Sequence, residues 1–273
     1  MVLACENQNG NPVAYSSKGR LIDTTLCQFN NIKLNKMYMY HEEGGDTTFY
    51  ENTFTALWPT TINGRPCDEL QHALLRAMTD SAGLDQFDKV VNFLMDPNSD
   101  NELDSKCLTP VNAIPDNCEQ LSTSEFHLAM QTMTDRLLTY HLSTYDFMAG
   151  AAHGTYTNNY VTYDLQTGKA VSLEDIIADT TLLRTATLKA IESSYHCTVN
   201  DLSLPDNGLL PLPHDFYIED NVLHAVYQVY EIASYAQGAF DAPIYPYMLK
   251  NEEMKRLYTP YGLELLELHD LTE

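Results

Sequence analysis

Positive charge is scarce in this sequence: 15 Lys and Arg stand against 38 Asp and Glu, for a net charge of −23. Binding to nucleic acid rests mainly on neutralising phosphates with Lys and Arg, so the shortage disfavours a nucleic-acid ligand. No basic or aromatic stripe offsets it. Tryptophan is almost missing, with Trp58 its single example. No apolar run approaches the roughly 18 residues that a membrane-spanning helix needs, which predicts a soluble body. The chain has no Gly-x-Ser-x-Gly nucleophile elbow, no phosphate-cradling Gly-x-x-x-x-Gly-Lys, no Gly-x-Gly-x-x-Gly and no His-Glu-x-x-His, so the enzyme classes those signatures mark are not indicated. Cys-x-x-Cys is absent too, which argues against a structural zinc site.

What is present points to a folded, sheet-rich protein. Hydrophobic residues make up 44% and aromatics 10% of the chain, outside the composition of disordered proteins. Its 18 tyrosines suit surfaces that are apolar on one side and wet on the other. A length of 273 residues allows one large core or two modest ones. The acidic excess keeps the chain in solution and sets up a field that attracts cationic partners.

Cysteine use carries two expectations. Val2-Leu3-Ala4-Cys5 has the small-residue pattern that ends a bacterial lipoprotein signal, although neither a charged n-region nor an apolar h-region precedes it. Lipid on Cys5 would anchor the protein without spanning the bilayer, and residues 6–18, rich in Asn, Gln, Gly and Ser, would serve as the tether. Cys107 and Cys118 flank an acidic loop and form the expected disulfide if the protein is exported.

Periodicity then organises the chain. Ile32, Leu34, Tyr38 and Tyr40 share one face of an extended stretch over 24–42, with 47–61 as its partner. Asn63-Gly64 signals a tight turn. Leu70, Ala73, Leu74 and Ala77 recur at helical spacing and predict a helix over 68–78, with a second over 85–95. The polar, acidic 96–119 is expected to be a surface loop. Residues 124–133 and 136–148 form a hairpin, 182–195 an amphipathic helix, 200–213 a loop, and 216–218 with 222–231 another hairpin. The tail 251–273 is expected to be partly helical, interrupted at Pro260-Tyr261-Gly262. Hairpins outnumber strand–helix–strand units, so the expected class is α+β, mainly antiparallel sheet with helices packed on one face. The expected organisation is a tether over 1–20, an N-terminal α+β half over 21–148 and a C-terminal half over 149–273, packed as one unit.

The stretch 150–177, GAAHGTYTNNYVTYDLQTGKAVSLEDII, says most. It opens on a corner of small residues that lets backbone or a partner approach closely. Tyr160, Thr162 and Asp164 alternate with Val161, Tyr163 and Leu165 as in a strand. Thr167-Gly168 supplies a turn, and Ser172-Leu173-Glu174-Asp175 reads as a capping box before Ile176-Ile177. These residues resemble the start of the bacterial extracytoplasmic domain of unknown function 3298. That family shows a Gly-Gly-Ala-His-Gly corner, a strand ending in Asp-Leu, a Thr-Gly-Lys turn and a Ser-Leu-x-Asp helix. Here Ala151 stands where the second glycine is usual. Downstream, Tyr230-Glu231-Ile232-Ala233-Ser234-Tyr235-Ala236-Gln237-Gly238 is similar to the family's Tyr-Glu-Ile-Ala-Pro-Tyr-Ala-x-Gly, with Ser234 replacing proline and freeing a backbone donor. Ala242-Pro243-Ile244-Tyr245-Pro246-Tyr247 resembles the closing strand. By pattern alone, the preceding half resembles domain of unknown function 4163.

The resemblance is to RsiV-like and PdaC N-terminal-like proteins. It implies an extracytoplasmic, periplasmic or surface-exposed binding module, since RsiV binds lysozyme outside the cell and PdaC places its deacetylase chemistry in a separate domain. The expected function is therefore non-enzymatic recognition of a protein or cell-wall glycan, with a cationic lysozyme-like partner favoured by the acidic charge and no cofactor or metal. Expected contact residues are His153, Gly154, Tyr235, Ala236, Gly238, Pro246 and Tyr247, with Cys5 as lipid acceptor. The alternative is a cell-wall hydrolase or deacetylase with a site near His153. His127 and His141 could also approach one another across their hairpin, near Asp135, although ordinary strand histidines are far commoner.

Overall fold

The structure, a computed structural model, describes residues 27–79 and 84–268 with their side chains. It also describes the backbone strands β1 (Cys5–Glu6), β2 (Pro12–Tyr15) and β3 (Leu21–Ile22), which form a small antiparallel sheet. The Cys5 side chain and most of the expected tether lie outside the described residues.

The main sheet is built from β4 (Cys27–His41), β5 (Thr47–Ile62), β6 (Arg65–Pro66), β7 (Leu108–Val111), β8 (Leu121–Met133), β9 (Leu137–Phe147), β10 (Thr155–Asp164) and β11 (Lys169–Ala170). Its order is β11-β10-β9-β8-β5-β4-β7, with β6 paired to β5. Every neighbouring pair is antiparallel except β5 with β8. After the β5–β6 hairpin, turned by Asn63 (φ 51) and Gly64 (φ 71), the chain forms α1 (Asp68–Thr79) and α2 (Phe87–Leu94). It then adds β7 at the far edge before returning beside β5.

One face of this sheet is apolar. The register sets Ala56 opposite Leu128, Leu128 opposite Leu142 and Tyr163 opposite Leu138, and the helices cover this row with Leu70, Leu74, Val90 and Val91. The other face carries the polar row Lys33, Thr55, His127, Ser143 and Asn158, one residue from each of five neighbouring strands. Strand residues alternate between faces, so a single register fixes both rows.

The second core gathers around β12 (Asp215–Glu219), β13 (Val222–Tyr227) and β14 (Phe240–Ile244), an antiparallel sheet in chain order. Phe216, Ile218, Leu223, Ala225, Tyr227, Phe240 and Ala242 pack against Leu183, Ala186, Ala190 and Ile191 of α4 (Thr180–Tyr195). Three short helices close it: α3 (Leu173–Ile176), α5 (Asn251–Leu257) and α6 (Pro260–Leu265). The Ser172 capping box forms as expected: Ser172 Oγ accepts the Asp175 amide at 3.3 Å, and Asp175 Oδ2 accepts the Ser172 amide at 2.8 Å. The class is α+β, mainly antiparallel.

Three expectations change. Within the supposed 96–119 loop, Leu108–Val111 pairs with β4, and the lone proline is tolerated because the strand lies at the sheet edge. Pro260 does not interrupt a helix; it begins α6, where a missing N–H costs nothing, behind a Thr259 cap whose hydroxyl accepts the Gly262 amide. Cys107 and Cys118 are both free thiols, and Cys118 Sγ is turned to the Gln120 carbonyl at 3.3 Å. The main sheet also runs across the 148/149 boundary, because β10 and β11 belong to it.

The two cores meet along the outer edge of β10, which pairs with β11 only at Tyr163 and Asp164. Elsewhere, side chains take the place of a strand. Gln228 accepts the Asn158 amide at 2.9 Å and donates to the Asn158 carbonyl at 2.6 Å. Both oxygens of Asp215 accept the Tyr160 amide, at 3.0 and 3.1 Å. The Val171 amide donates to the Thr162 carbonyl at 2.8 Å, and the Tyr235 hydroxyl to the Gly154 carbonyl at 2.7 Å. Beside this edge, His141, Tyr160, Tyr217 and His224 stack in one row from β9 to β13, with successive ring centroids 4.6, 4.5 and 4.2 Å apart. Asp241 ends the row, accepting from the Tyr217 hydroxyl at 2.6 Å and facing His224 Nδ1 at 2.7 Å.

Gln228→Ala strips both partners from Asn158. The expected loss is about 1–3 kcal/mol in urea denaturation, the range for half-buried backbone groups left unpaired. A loss below about 0.5 kcal/mol would mean that water replaces the carboxamide at this edge.

Candidate functional site

The corner after β9 is built by close approach. Gly150 takes φ 81, and the Ala151 amide donates to the Met148 carbonyl at 2.9 Å to close the turn. Gly154 is buried against the Tyr145 ring, and a Cβ placed there would fall 2.5 Å from that ring. A larger residue would require the Tyr145 ring to shift. The neighbouring His153 is exposed and stacks on Tyr235 with centroids 3.8 Å apart and planes 16° apart.

Hydrogen bonds fix the histidine. Its Nδ1 lies 3.0 Å from the Gly154 carbonyl. A carbonyl can only accept, so Nδ1 carries a hydrogen. Nε2 faces the Tyr230 hydroxyl at 3.5 Å. Tyr230 is itself 59% exposed and sits at φ 67, a left-handed conformation that a bulky residue holds only where its surroundings impose it. Tyr156 meets the Tyr235 ring edge-on and accepts the Ala239 amide at 3.2 Å. Gly238, at φ 77, passes close to the Tyr156 hydroxyl. The donor freed by Ser234 is used within its own turn, bonding Gln237 Oε1 at 3.3 Å.

The structure thus brings together His153, Gly154, Tyr235 and Gly238, with Ala236 exposed at the rim. Pro246 and Tyr247 take no part in this cluster. Tyr247 stacks on Tyr245 and is 82% exposed, forming a separate aromatic spot. Sequence reasoning missed Tyr145, Tyr156 and Tyr230. The first two stand directly opposite one another on β9 and β10, so counting the hairpin register outward from the corner would have found them. His127 and His141 do not pair: His127 bonds Thr55 at 2.6 Å, and His141 bonds Asn158 at 2.9 Å. Among the described residues no group of three or more His, Cys, Asp and Glu is arranged to hold a metal.

A second feature lies where the two cores face each other. A cleft of about 710 Å³ opens between α1 and the loops before α3 and β12, and its polar lining comprises Arg76, Asn159, Glu174, His214, Asp215 and Gln228 among others. Asp215 is 9% exposed. Burial pushes its carboxyl up to about 7, against the lowering effect of the Tyr160 and Phe216 amides, and the nearby Glu231 charge adds to the rise. The Glu231 carboxyl is itself raised, again mainly by burial. Asp164 goes the other way. Burial alone would raise it, but the Tyr261 hydroxyl at 2.8 Å, the Gln166 and Thr167 amides and Arg136 hold it below the usual carboxylate range.

A family model described as "Protein of unknown function (DUF3298)" matches residues 178–245. No curated protein matches the chain. Similar solved structures include a member of the DUF3298 family from Bacteroides fragilis, 16% identical, with a TM-score of 0.63, covering 89% of this chain and 98% of that one. They also include a DUF3298 family protein from Pseudomonas aeruginosa, 16% identical, with a TM-score of 0.50, covering 85% of this chain and 95% of that one. At such identity the likeness is one of fold. The matched span contains α4, the second sheet and the 230–238 turn, whereas the 150–177 stretch precedes it.

The raised Asp215 carboxyl makes stability depend on pH. Its folded value of about 7 lies above an unfolded value of about 4, so the folded chain binds more protons between the two. The contribution is complete below about pH 4 and is lost as pH rises through 7, at a limiting slope of about 1.4 kcal/mol per pH unit. Asp215→Asn cannot ionise, so its denaturation free energy is expected to decline less than wild type across this window. Parallel pH profiles for the two proteins would show that the Asp215 carboxyl titrates alike in the folded and unfolded chains, with no raised folded value.

Proposed function

We propose, for a chain whose residues 178–245 match the DUF3298 family model, that it is a non-enzymatic cell-envelope module that recognises a protein partner through its tyrosine corner. The observation that carries this reading is the stack of exposed His153, half-buried Tyr235 and exposed Tyr230, joined across 77 to 81 positions of sequence by hydrogen bonds. Aromatic rings held rigid at a surface lose little conformational freedom on contact, and such residues dominate the energetics of interfaces. A net charge of −23 favours a cationic partner and speeds the encounter. Together with the RsiV-like resemblance, this selects a lysozyme-like protein.

An extracytoplasmic location and anchoring through Cys5 belong to the same proposal, as does the likeness of residues 21–148 to the half that precedes this domain in PdaC-like proteins. The hydrolase or deacetylase alternative requires a carboxylate or second histidine beside His153. Its contacts are instead two tyrosines and a backbone carbonyl. Tyr247 remains a separate candidate contact, distinguishable by substitution.

Calorimetric titration with a C-type lysozyme at low and near-physiological salt tests the proposal. Binding is expected to survive the higher salt and to weaken at least tenfold in Tyr230→Ala and in a folded Tyr235→Ala, while Tyr247→Ala reports on the other spot. Binding that vanishes with salt would reduce the attraction to unspecific charge. Binding unchanged in both corner variants would move the interface elsewhere.

A further inference from the structure

We propose that the cleft between the two cores is a second, separate binding site, and that it takes a neutral, hydroxyl-rich ligand: a short oligosaccharide segment. Its volume of about 710 Å³ falls within the roughly 300–1,000 Å³ of small-molecule sites. The walls come from both cores, with Arg76 of α1 and Asn159 of β10 on one side and Glu174, His214 and Asp215 on the other. Sites that bind ligands commonly lie at such junctions.

The lining is short of partners of its own. The side chains of Arg76, Asn159 and Glu174 make no hydrogen bond or ion pair with another described residue. Gln228 spends its oxygen and one amide hydrogen on Asn158 and keeps a second hydrogen. Amide, guanidinium and carboxylate groups lining one cleft offer donors and acceptors to a ring of hydroxyls. Leu173 and Leu212 supply the apolar patches that the C–H faces of a sugar require.

Other ligand classes fit less well. An extended peptide would need free strand-edge groups, yet the outward amides of Asn158 and Tyr160 are already taken by Gln228 and Asp215. An anion would face Glu174, Asp215 and the field of a chain carrying −23. A cation would meet Arg76 across the cleft from Glu174, and Asp215, raised to about 7, is only partly charged at neutral pH. What remains is an uncharged ligand held by many hydrogen bonds.

The test is amide and side-chain NMR of the full chain titrated with maltotriose, cellotriose and chitotriose, and with trialanine as the peptide probe. At least one trisaccharide is expected to give saturable shifts confined to Ala77, Asn159, Glu174 and the Gln228 carboxamide. Its affinity is expected to fall at least fivefold in Asn159→Ala and in Arg76→Ala, with melting temperatures unchanged. Lack of saturable shifts with all three sugars overturns the proposal. So do equal shifts in both variants, or shifts with trialanine alone. Because Tyr230 and Tyr235 do not line this cleft, failure here leaves the lysozyme titration to be judged separately.

Discussion

An edge strand presents an amide and a carbonyl outward at every second residue, and each must find a partner if the edge is covered. β10 is such a strand over most of its length, and the way its edge is satisfied organises the molecule. No strand of the second sheet reaches it in register. Instead, single side chains do: Tyr235 at Gly154, Gln228 at Asn158 and Asp215 at Tyr160, with the Val171 backbone at Thr162. Gln228 reproduces the paired N–H and C=O of a ladder with one carboxamide. The second core is therefore docked by polar contacts of defined geometry, and the row of four stacked rings adds apolar area beside them.

Both candidate sites follow from that docking. The tyrosine corner is the end of the seam, where Tyr235 bonds the last outward carbonyl and leaves its ring face for His153. The cleft lies further along, lined by the Asp215 carboxyl and the Gln228 carboxamide that dock the two cores. The weakened acidity of Asp215 has the same origin. A carboxylate chosen for its fit to backbone amides is buried with no cation beside it, so its charged form is disfavoured.

Local elements were legible in the sequence because their causes are local. The α1 stripe through Leu70 and Leu74, the Asn63-Gly64 turn and the Ser172 capping box each involve residues within a few positions of one another. Class and hairpins followed. β7 was hidden because four residues containing a proline in a polar stretch show no period, and their pairing is decided by β4. The proximity of His153 and Tyr235 was visible only as two motifs in order. Asp215, Gln228 and Arg76 carried no signal at all: each resembles an ordinary strand end, turn or helix surface until the second core is in place. The match over residues 178–245 likewise begins after the corner.

The lone parallel pair, β5 with β8, joins residues 72 positions apart in sequence, as at Thr55 and His127. Antiparallel neighbours can form as hairpins, whereas a parallel partner is met only after the intervening chain has closed a large loop. The sheet thus divides kinetically into two hairpin assemblies, β4 with β5 and β8 through β10, each able to form from nearby residues. Their union across β5 and β8, like the pairing of β7 with β4 at positions as far apart, carries a large loop-closure cost and is expected to limit how fast the sheet assembles. Until that union, the apolar faces of both assemblies stand open to solvent, and the Gly150 corner is already in place before the cleft exists.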